Sequence, residues 1–230
     1  MGKQVPDIRG ALRSHMIELP HAISKASGIR IFGKRLKSFV FTTDVAIIRN
    51  TNADAVIAVY PFTPQPVITQ ALVLAADVPV FCGVGGGITT GKRVINLALD
   101  AEFKGAMGIV VNNPTPNDVI TQVRDTIDIP IIVTVVSEFE NIDARIEAGA
   151  TILNVSGAKR TIEIVKKIRQ RHPDFPIIAT GGPTEESITA TIEAGANAIT
   201  YTPPTTSEIL RDIMVNYRDK YENDIPINVE

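Results

Sequence analysis

The chain has 230 residues, of which 44% are hydrophobic and 21% are charged, and its formal net charge is −2. A chain of this length can bury one large core, and α/β barrels commonly occupy this length as a single domain. We therefore expect one domain over 1–230. Because the sequence has no basic excess and only 5% aromatic residues, its composition argues against nucleic acid and anionic membranes as partners.

The sequence also indicates a compartment. It begins without an apolar segment of signal-peptide length and contains no run of 18 uncharged apolar residues. Its single cysteine, Cys82, can form neither an internal disulfide nor a thiolate metal cluster. These features predict a cytoplasmic protein.

Residues 1–37 form an N-terminal extension that precedes the repeating part of the chain. The spacing of apolar residues predicts one helix over 7–17, ended by Pro20. Gly28 to Gly33 predicts a short strand between turn residues. We interpret the extension as a cap over the bottom of a barrel or as a contact with a second copy.

From Ser38 onward, short apolar strands alternate with amphipathic helices. The eight predicted strands cover 38–42, 55–60, 79–84, 107–111, 130–136, 151–155, 177–180 and 198–201. Predicted helices follow them over 44–50, 64–76, 90–103, 116–127, 140–148, a segment containing Ile162, Val165 and Ile168, then 185–194 and 206–221. The last helix is expected to face inward with Leu210, Ile213, Met214 and Tyr217. Eight βα units over 38–221 with unalternating apolar strands are typical of a closed, parallel α/β barrel.

Two glycine-rich turns join a predicted strand to a predicted helix. The first covers 85–88 after the third strand, and the second is Gly181-Gly182 after the seventh, before a helix capped by Thr184. Glycines let a ligand approach the backbone, and the free N–H groups of a helix's first turn favour an anion. The alternative is that the glycines only permit a sharp turn. A single Gly-Gly pair does not decide between these interpretations.

This arrangement resembles the ribulose-phosphate-binding TIM barrels, and most of all the histidine-biosynthesis pair, the ProFAR isomerase and the cyclase subunit of imidazole glycerol phosphate synthase. In those barrels, the two turns bind the two phosphates of one substrate. The matching residues here are Gly85, Gly86, Gly87 and Ile88, then Gly181 and Gly182. The resemblance covers roughly 38–206 and implies a TIM (β/α)8 barrel that acts on a small phosphorylated metabolite.

The sequence departs from that pattern at several strand ends. The resembling families place an Asp after the first and fifth strands; Asp44 matches the first, whereas only Glu138 follows the fifth. The turns after the fourth and eighth strands contain prolines, which remove backbone donors. A Schiff-base lysine is absent from the sixth strand, and Lys159 lies just beyond it. These departures leave the reaction open.

Other motifs give less support to specific chemistries. The glycine-rich stretch after the third strand has Arg93 where a P-loop requires Ser or Thr. Cys82 ends the third strand, but no histidine follows any predicted strand, so we interpret this thiol as a core residue. The absence of a His-x-His pair argues against zinc or di-metal hydrolases. We predict neither a metal nor a cofactor.

Candidate site residues lie at strand ends, where TIM-barrel chemistry occurs. We assign acid/base roles to Asp44, Glu138 and Lys159, although Asp44 also suits the N-cap of the first helix. The predicted ligand and phosphate contacts are Gly85, Gly86, Gly87, Asn112, Ser156, Thr180, Gly181, Gly182 and Thr202. Further candidates by position are Asn113, Asn154 and Thr200.

Three functions fit these residues. The first is a metal-independent isomerase or lyase that acts on a small phosphorylated metabolite by proton transfer at Asp44. The second is a hydrolase in which Asp44 or Glu138 activates water, and the third is a non-catalytic barrel that binds a phosphorylated ligand and regulates a partner. Because Pro183, Pro203 and Pro204 remove donors near the seventh strand, we expect the phosphate at the third-strand turn. The sequence does not decide whether the chain forms a homo-oligomer.

Overall fold

The computed structural model describes residues 6, 8, 10 and 16–224. Its strands are β1 (Ile29–Ile31), β2 (Lys34–Leu36), β3 (Ser38–Phe41), β4 (Ala55–Ala58), β5 (Val80–Gly85), β6 (Gly108–Val111), β7 (Ile131–Val135), β8 (Ile152–Val155), β9 (Ile177–Thr180) and β10 (Ala198–Tyr201). Its α-helices are α1 (Val45–Arg49), α2 (Pro66–Ala75), α3 (Lys92–Phe103), α4 (Asn117–Arg124), α5 (Ile142–Ala148), α6 (Thr161–Arg171), α7 (Glu185–Glu193) and α8 (Thr206–Asp224). Two short 3-10 helices cover His21–Lys25 and Ala158–Arg160.

Strands β3 to β10 close into a parallel barrel. Each strand pairs with the next in the chain, and β10 pairs back onto β3, with Ile199 opposite Ser38 and Thr200 opposite Phe39. The carbonyls of Pro79, Pro130 and Pro176, just before three strands, accept hydrogen bonds from neighbouring strands. A proline there contributes an acceptor where its missing N–H does least harm. The predicted (β/α)8 barrel is confirmed.

The barrel strands are apolar on both faces because the helices cover the outside and the strands' own side chains fill the inside. Phe39 and Phe81 are fully buried inside and meet edge to face, with ring centroids 5.4 Å apart. Residues one position away, such as Val40 and Cys82, belong instead to the layer between strands and helices. This alternation determines which strand-end residues reach the barrel mouth.

The N-terminal extension closes the bottom of the barrel. Strands β1 and β2 form an antiparallel hairpin, and Ile29, Ile31 and Leu36 pack with the interior core. The predicted cap is therefore confirmed. The helix predicted over 7–17 lies mostly outside the described residues, and Ile17 forms an isolated bridge with Thr51 instead of a helical turn.

The last helix differs from the prediction. In α8 the residues expected to face inward are exposed: Leu210 by 57%, Ile213 by 42%, Met214 by 41% and Tyr217 by 58%. The helix itself was predicted correctly, but its inward face was predicted wrongly, because the 3-10 helix of the N-terminal extension lies against α7, and its Ala22 backbone N–H donates to Glu185. None of the helices in the described residues is long and apolar enough to cross a membrane.

Candidate ligand site at the barrel mouth

A cavity of about 290 Å3 opens at the C-terminal ends of β4, β5 and β6. One wall is the loop after β4, where Tyr60 and Phe62 present aromatic rings. The opposite wall is the glycine turn after β5, and Asn112 after β6 closes the side between them. Four of the predicted contacts, Gly85, Gly86, Gly87 and Asn112, therefore lie together at the mouth.

The glycine turn after β5 exposes its backbone to this cavity. The Gly86 N–H donates to the Thr89 carbonyl at 3.1 Å, which closes the turn. Gly86 and Gly87 have φ of +111° and +71°, a conformation that side chains rarely adopt. Within the described residues, the N–H groups of Gly87 and Ile88 have no protein acceptor. Two free donors thus border a cavity of metabolite size.

The rest of the mouth has uncharged polar side chains. Thr134, Asn154, Thr180 and Thr200 each lie two residues after an interior core residue, so they point to the barrel axis. The Thr200 hydroxyl donates to the Asn154 side-chain oxygen at 3.3 Å, and Thr180 donates to Ser156 at 3.4 Å. None of the eight barrel strands contains a charged residue. The mouth can therefore hydrogen-bond a ligand without an ionic partner from the strands.

Asp44 is engaged as a helix cap. Its Oδ1 accepts from the Ala46 and Ile47 backbone N–H groups at 2.9 and 3.4 Å, and its Oδ2 accepts from the Thr206 hydroxyl. Partial burial acts to raise the pKa of Asp44, but the hydrogen bonds from Thr206 and from the two N–H groups outweigh it and lower the pKa below 3.8. The carboxylate is ionised at neutral pH, as expected for a cap.

Glu138 lies away from the mouth cavity. It pairs with Arg160 and borders a separate cavity of about 280 Å3 on the flank of α6, together with Lys167 and His172. The loop after β7 therefore folds down along the outside of the barrel. The structure does not bring Glu138 together with Asp44 or with the glycine turn.

The remaining predicted contacts surround the opposite half of the mouth. Lys159 belongs to the second 3-10 helix after β8, and its side chain is exposed without a partner within the described residues. Ser156 and Thr202 follow β8 and β10 and are also exposed.

Asn113 follows β6, and its backbone carbonyl accepts from Arg145 at 2.6 Å, which anchors the loop after that strand.

The glycine turn after β9 is closed by packing. A Cβ on Gly181 would lie 2.8 Å from side-chain atoms of Ile188 and Ile199, and one on Gly182 would lie 2.6 Å from the Ser187 hydroxyl. Thr184 and Ser187 form a capping box that uses both of their N–H groups. Packing therefore fills the space beside both glycines, and the capping box satisfies the N–H groups of Thr184 and Ser187, although the N–H groups of Gly181 and Gly182 have no protein acceptor within the described residues.

Cys82 lies outside the ligand site. Its side chain is buried between β5 and the helices, and burial raises the pKa of its thiol to about 12. The prediction that it is a core residue is supported by this placement. The described residues contain no group of three or more His, Cys, Asp or Glu side chains able to hold a metal ion.

Sequence reasoning missed the wall formed by the loop after β4. Tyr60 was predicted as the last residue of the second barrel strand, but β4 ends at Ala58, and Tyr60 begins the loop stretch Tyr60-Pro-Phe-Thr-Pro. The Tyr60 hydroxyl accepts from the Gln65 N–H at 2.9 Å. Aromatic residues and prolines immediately after a barrel strand were the available signal.

Comparison with known proteins supports the fold alone. No protein-family model matches the chain, and no curated protein matches it. Solved structures do match. A phosphonopyruvate hydrolase complex with oxalate and Mg2+ is 14% identical, with a TM-score of 0.61 over 84% of this chain and 88% of that chain. A putative phosphonomutase from Burkholderia cenocepacia J2315 is 15% identical, with a TM-score of 0.59 over 81% of this chain and 92% of that chain. A mandelate oxidase is 14% identical, with a TM-score of 0.62 over 77% of this chain and 68% of that chain.

The closed barrel and these similarities together define a TIM barrel. The similar structures are enzymes of small metabolites, but at 14–15% identity they establish the architecture and not the activity. They do not support the histidine-biosynthesis barrels specifically. The function must therefore be argued from the mouth of this barrel.

Proposed function

We propose that this TIM barrel binds a small phosphorylated metabolite at its mouth, with the phosphate on the glycine turn after β5. The observation that carries the proposal is the turn itself, where the unpartnered N–H groups of Gly87 and Ile88 border a cavity. Backbone N–H groups in a glycine turn are suitable donors to phosphate oxygens. Lys92 and Arg93, exposed at the start of α3, add positive charge beyond the turn.

The mouth also indicates the chemistry of the rest of the ligand. Its inward-facing side chains after the core layer are hydroxyls and amides such as Thr134, Asn154, Thr180 and Thr200. A carboxylate or ammonium group there would be desolvated without an ionic partner from the strands, which is costly. We therefore favour a phosphate ester whose body is uncharged and hydroxylated. The cavity of about 290 Å3 is at the small end for ligand sites, and these four side chains lie beside it, so the body of the ligand would extend from the cavity across the mouth.

A charge inserted beside the proposed phosphate tests its position. A Cβ at Gly87 meets no atom within 4 Å, and Asn and Asp tolerate positive φ better than other residues. Gly87→Asp and Gly87→Asn therefore differ in charge but hardly in shape. We expect Gly87→Asp to weaken binding of glycerol 3-phosphate about tenfold or more in calorimetric titration, because like charges repel at short range.

The isosteric variant and the ligand fragments are the controls. Gly87→Asn should bind glycerol 3-phosphate within about threefold of the unmodified protein, since a tenfold loss corresponds to about 1.4 kcal/mol. Glycerol alone should bind far more weakly. Equal binding by the Asp and Asn variants would place the phosphate elsewhere. Failure of every phosphate ester in a thermal-shift panel to raise the melting temperature would contradict the proposal as a whole.

Catalysis at the same mouth is the second candidate, as an isomerase, lyase or hydrolase. Its basis is the position of two ionisable groups after barrel strands, Asp44 after β3 and Lys159 after β8. The lowered pKa of Asp44 makes it a weak base. We assign proton donation to Lys159, whose exposed side chain has no partner within the described residues. Once an activity is found, unchanged turnover in Asp44→Asn would remove Asp44 from the mechanism.

A further inference from the structure

Within the described residues, the C-terminal helix α8 presents an apolar surface that the barrel leaves uncovered. We define the α8 patch as Leu210, Ile213, Met214, Tyr217 and Tyr221, whose exposures range from 41% to 76%. Their spacing places them on one broad stripe of the helix. The corresponding stripes of other helices are buried, as with Val119 and Val123 of α4. A helix of 19 residues with such a stripe requires a partner to cover it.

Helix α8 does not pack in the outer helix layer of its own barrel, because the N-terminal extension occupies the position beside α7. The 3-10 helix His21–Lys25 lies against α7 and buries Ala22 and Ile23 in the core at 1% and 3% exposure. Helix α8 touches the barrel mainly near its start, where Thr206 donates to Asp44 and Ile209 packs against the core. The rest of the helix extends beyond the packed layer.

A groove separates α8 from the barrel. Its volume is about 1010 Å3, and its walls include Ile17 and Ile47 on one side and Ile213 and Tyr217 on the other. A helix with side chains is about 10–12 Å wide and rises 1.5 Å per residue, so about two turns of it occupy roughly 1,000 Å3. The groove therefore matches a short length of helix.

We propose that a second copy of this chain covers the α8 patch, so that the two α8 helices pair antiparallel about a twofold axis, each entering the other's groove. Such a contact is self-complementary, because every copy supplies one helix and one groove. The arrangement closes with two chains and leaves neither patch exposed.

The exposed area is sufficient for this contact. Two patches contribute four tyrosines and six aliphatic side chains, each about half exposed. With roughly 150–250 Å2 per buried aromatic side chain and about 100 Å2 per aliphatic one, they would bury on the order of 800 Å2 of apolar surface. Since apolar atoms make up about 60% of an interface, this corresponds to roughly 1,300 Å2 in total, within the range of stable dimers.

Analytical ultracentrifugation of the full chain tests the proposal. We expect a species of twice the chain mass at micromolar concentrations, and we expect Ile213→Asp to shift the dissociation constant at least tenfold towards monomer. Leu74→Asp is the matched control: Leu74 is 77% exposed on α2 and should leave the dimer intact. Circular dichroism should show both variants folded, because neither side chain is buried.

A cross-link tests the antiparallel arrangement. Met214 lies near the middle of the patch, so its equivalents in two copies should lie close together across a twofold axis. Because Cys82 is buried, Met214→Cys provides one accessible thiol per chain, and a short bis-maleimide should join two chains. Leu74→Cys should not be joined. A monomeric wild type, equal dissociation of the two Asp variants, or equal cross-linking of the two Cys variants would overturn the proposal.

Discussion

The glycine turns after β5 and β9 resemble each other in sequence, but the first also contains a glycine that packing does not require. At the second turn, the side chains of Ile188, Ile199 and Ser187 occupy the space that a Cβ on Gly181 or Gly182 would need. At the first turn, a Cβ on Gly85 or Gly86 would likewise lie 2.4 Å from Val94 or Asn112, but Gly87 has open space around it and borders a cavity. A glycine can thus permit close packing of the protein with itself or leave the backbone accessible to a ligand.

The helices that follow the two turns show the same difference. At α7, Thr184 and Ser187 cap each other's backbone N–H groups, and Glu185 and Glu186 add negative charge to the first turn. At α3, the N-cap is Gly91, which has no side chain to accept from the helix, and the first two residues are Lys92 and Arg93. An anion is thus repelled at one helix start and attracted at the other.

The largest expected effect is on stability at the second turn. Gly181→Val would force a branched side chain against Ile188 and Ile199 in a close-packed region, and we expect it to lower the free energy of unfolding by about 3 kcal/mol. Gly87→Asn, placed in open space, should lower it by about 1 kcal/mol or less. Urea unfolding of the two variants measures the difference. Equal losses would show that packing does not distinguish the turns.

The N-terminus of helix α1 is the next case, because the Asp44 carboxylate already occupies the place where an anion would bind. Asp44→Ala removes the cap and should cost about 1 kcal/mol, whereas Asp44→Asn should cost only a few tenths. Since the pKa of Asp44 is lowered from 3.8, its contribution is present above about pH 3.8 and is lost as the pH falls through its folded-state pKa. The stability gap between wild type and Asp44→Ala, followed by urea unfolding, should therefore narrow in acid; a constant gap down to pH 2 would contradict the assignment.

A smaller effect is expected for a charge placed at the second turn. Pro183 is exposed beside Gly182, and Pro183→Asp inserts the same charge there as Gly87→Asp inserts at the first turn. If the phosphate lies at the first turn, glycerol 3-phosphate affinity should change less than about twofold, because distant exposed charges are screened. A loss as large as that of Gly87→Asp would reverse the comparison between the turns.

The smallest effect is expected at Cys82, which lies on β5 just before the first turn but faces the helices. Burial raises the pKa of its thiol to about 12, so the reactive thiolate is nearly absent at pH 8. Native protein should react negligibly with a chromogenic disulfide reagent over the time in which urea-unfolded protein reacts completely. Rapid labelling of the native protein would mean that the strand before the turn opens to solvent.

The local sequence pattern was sufficient to predict the barrel strands. Short apolar runs separated by helical periodicity predicted β9 and β10 at the bounds observed, and the other barrel strands within one or two residues. The hairpin before β3 was predicted as one strand and a turn, although it contains two strands. Such elements are predictable because hydrophobic periodicity and turn residues act over a few positions.

Candidate residues were predictable only as positions after strands. Asn112 and the glycines at 85–87 do meet at one cavity, as expected for neighbouring strand ends. Glu138 does not, because the loop after β7 turns down the flank, where Arg160 pairs with its carboxylate. The aromatic wall at Tyr60 was missed, because the aromatic residues and prolines there mark an unusual loop without indicating that it leans over the mouth.

The sequence by itself determined eight strands, their order and their apolar faces, because each depends on neighbours within a turn or a strand. Only the tertiary structure decided that the N-terminal extension packs beside α7, that α8 stays outside with Tyr217 exposed, and that Gly181 serves packing while Gly87 stays open. The physical reason is competition between segments distant in the chain. The apolar stripes of the N-terminal extension and of α8 could both pack beside α7, but a close-packed core has room for only one of them.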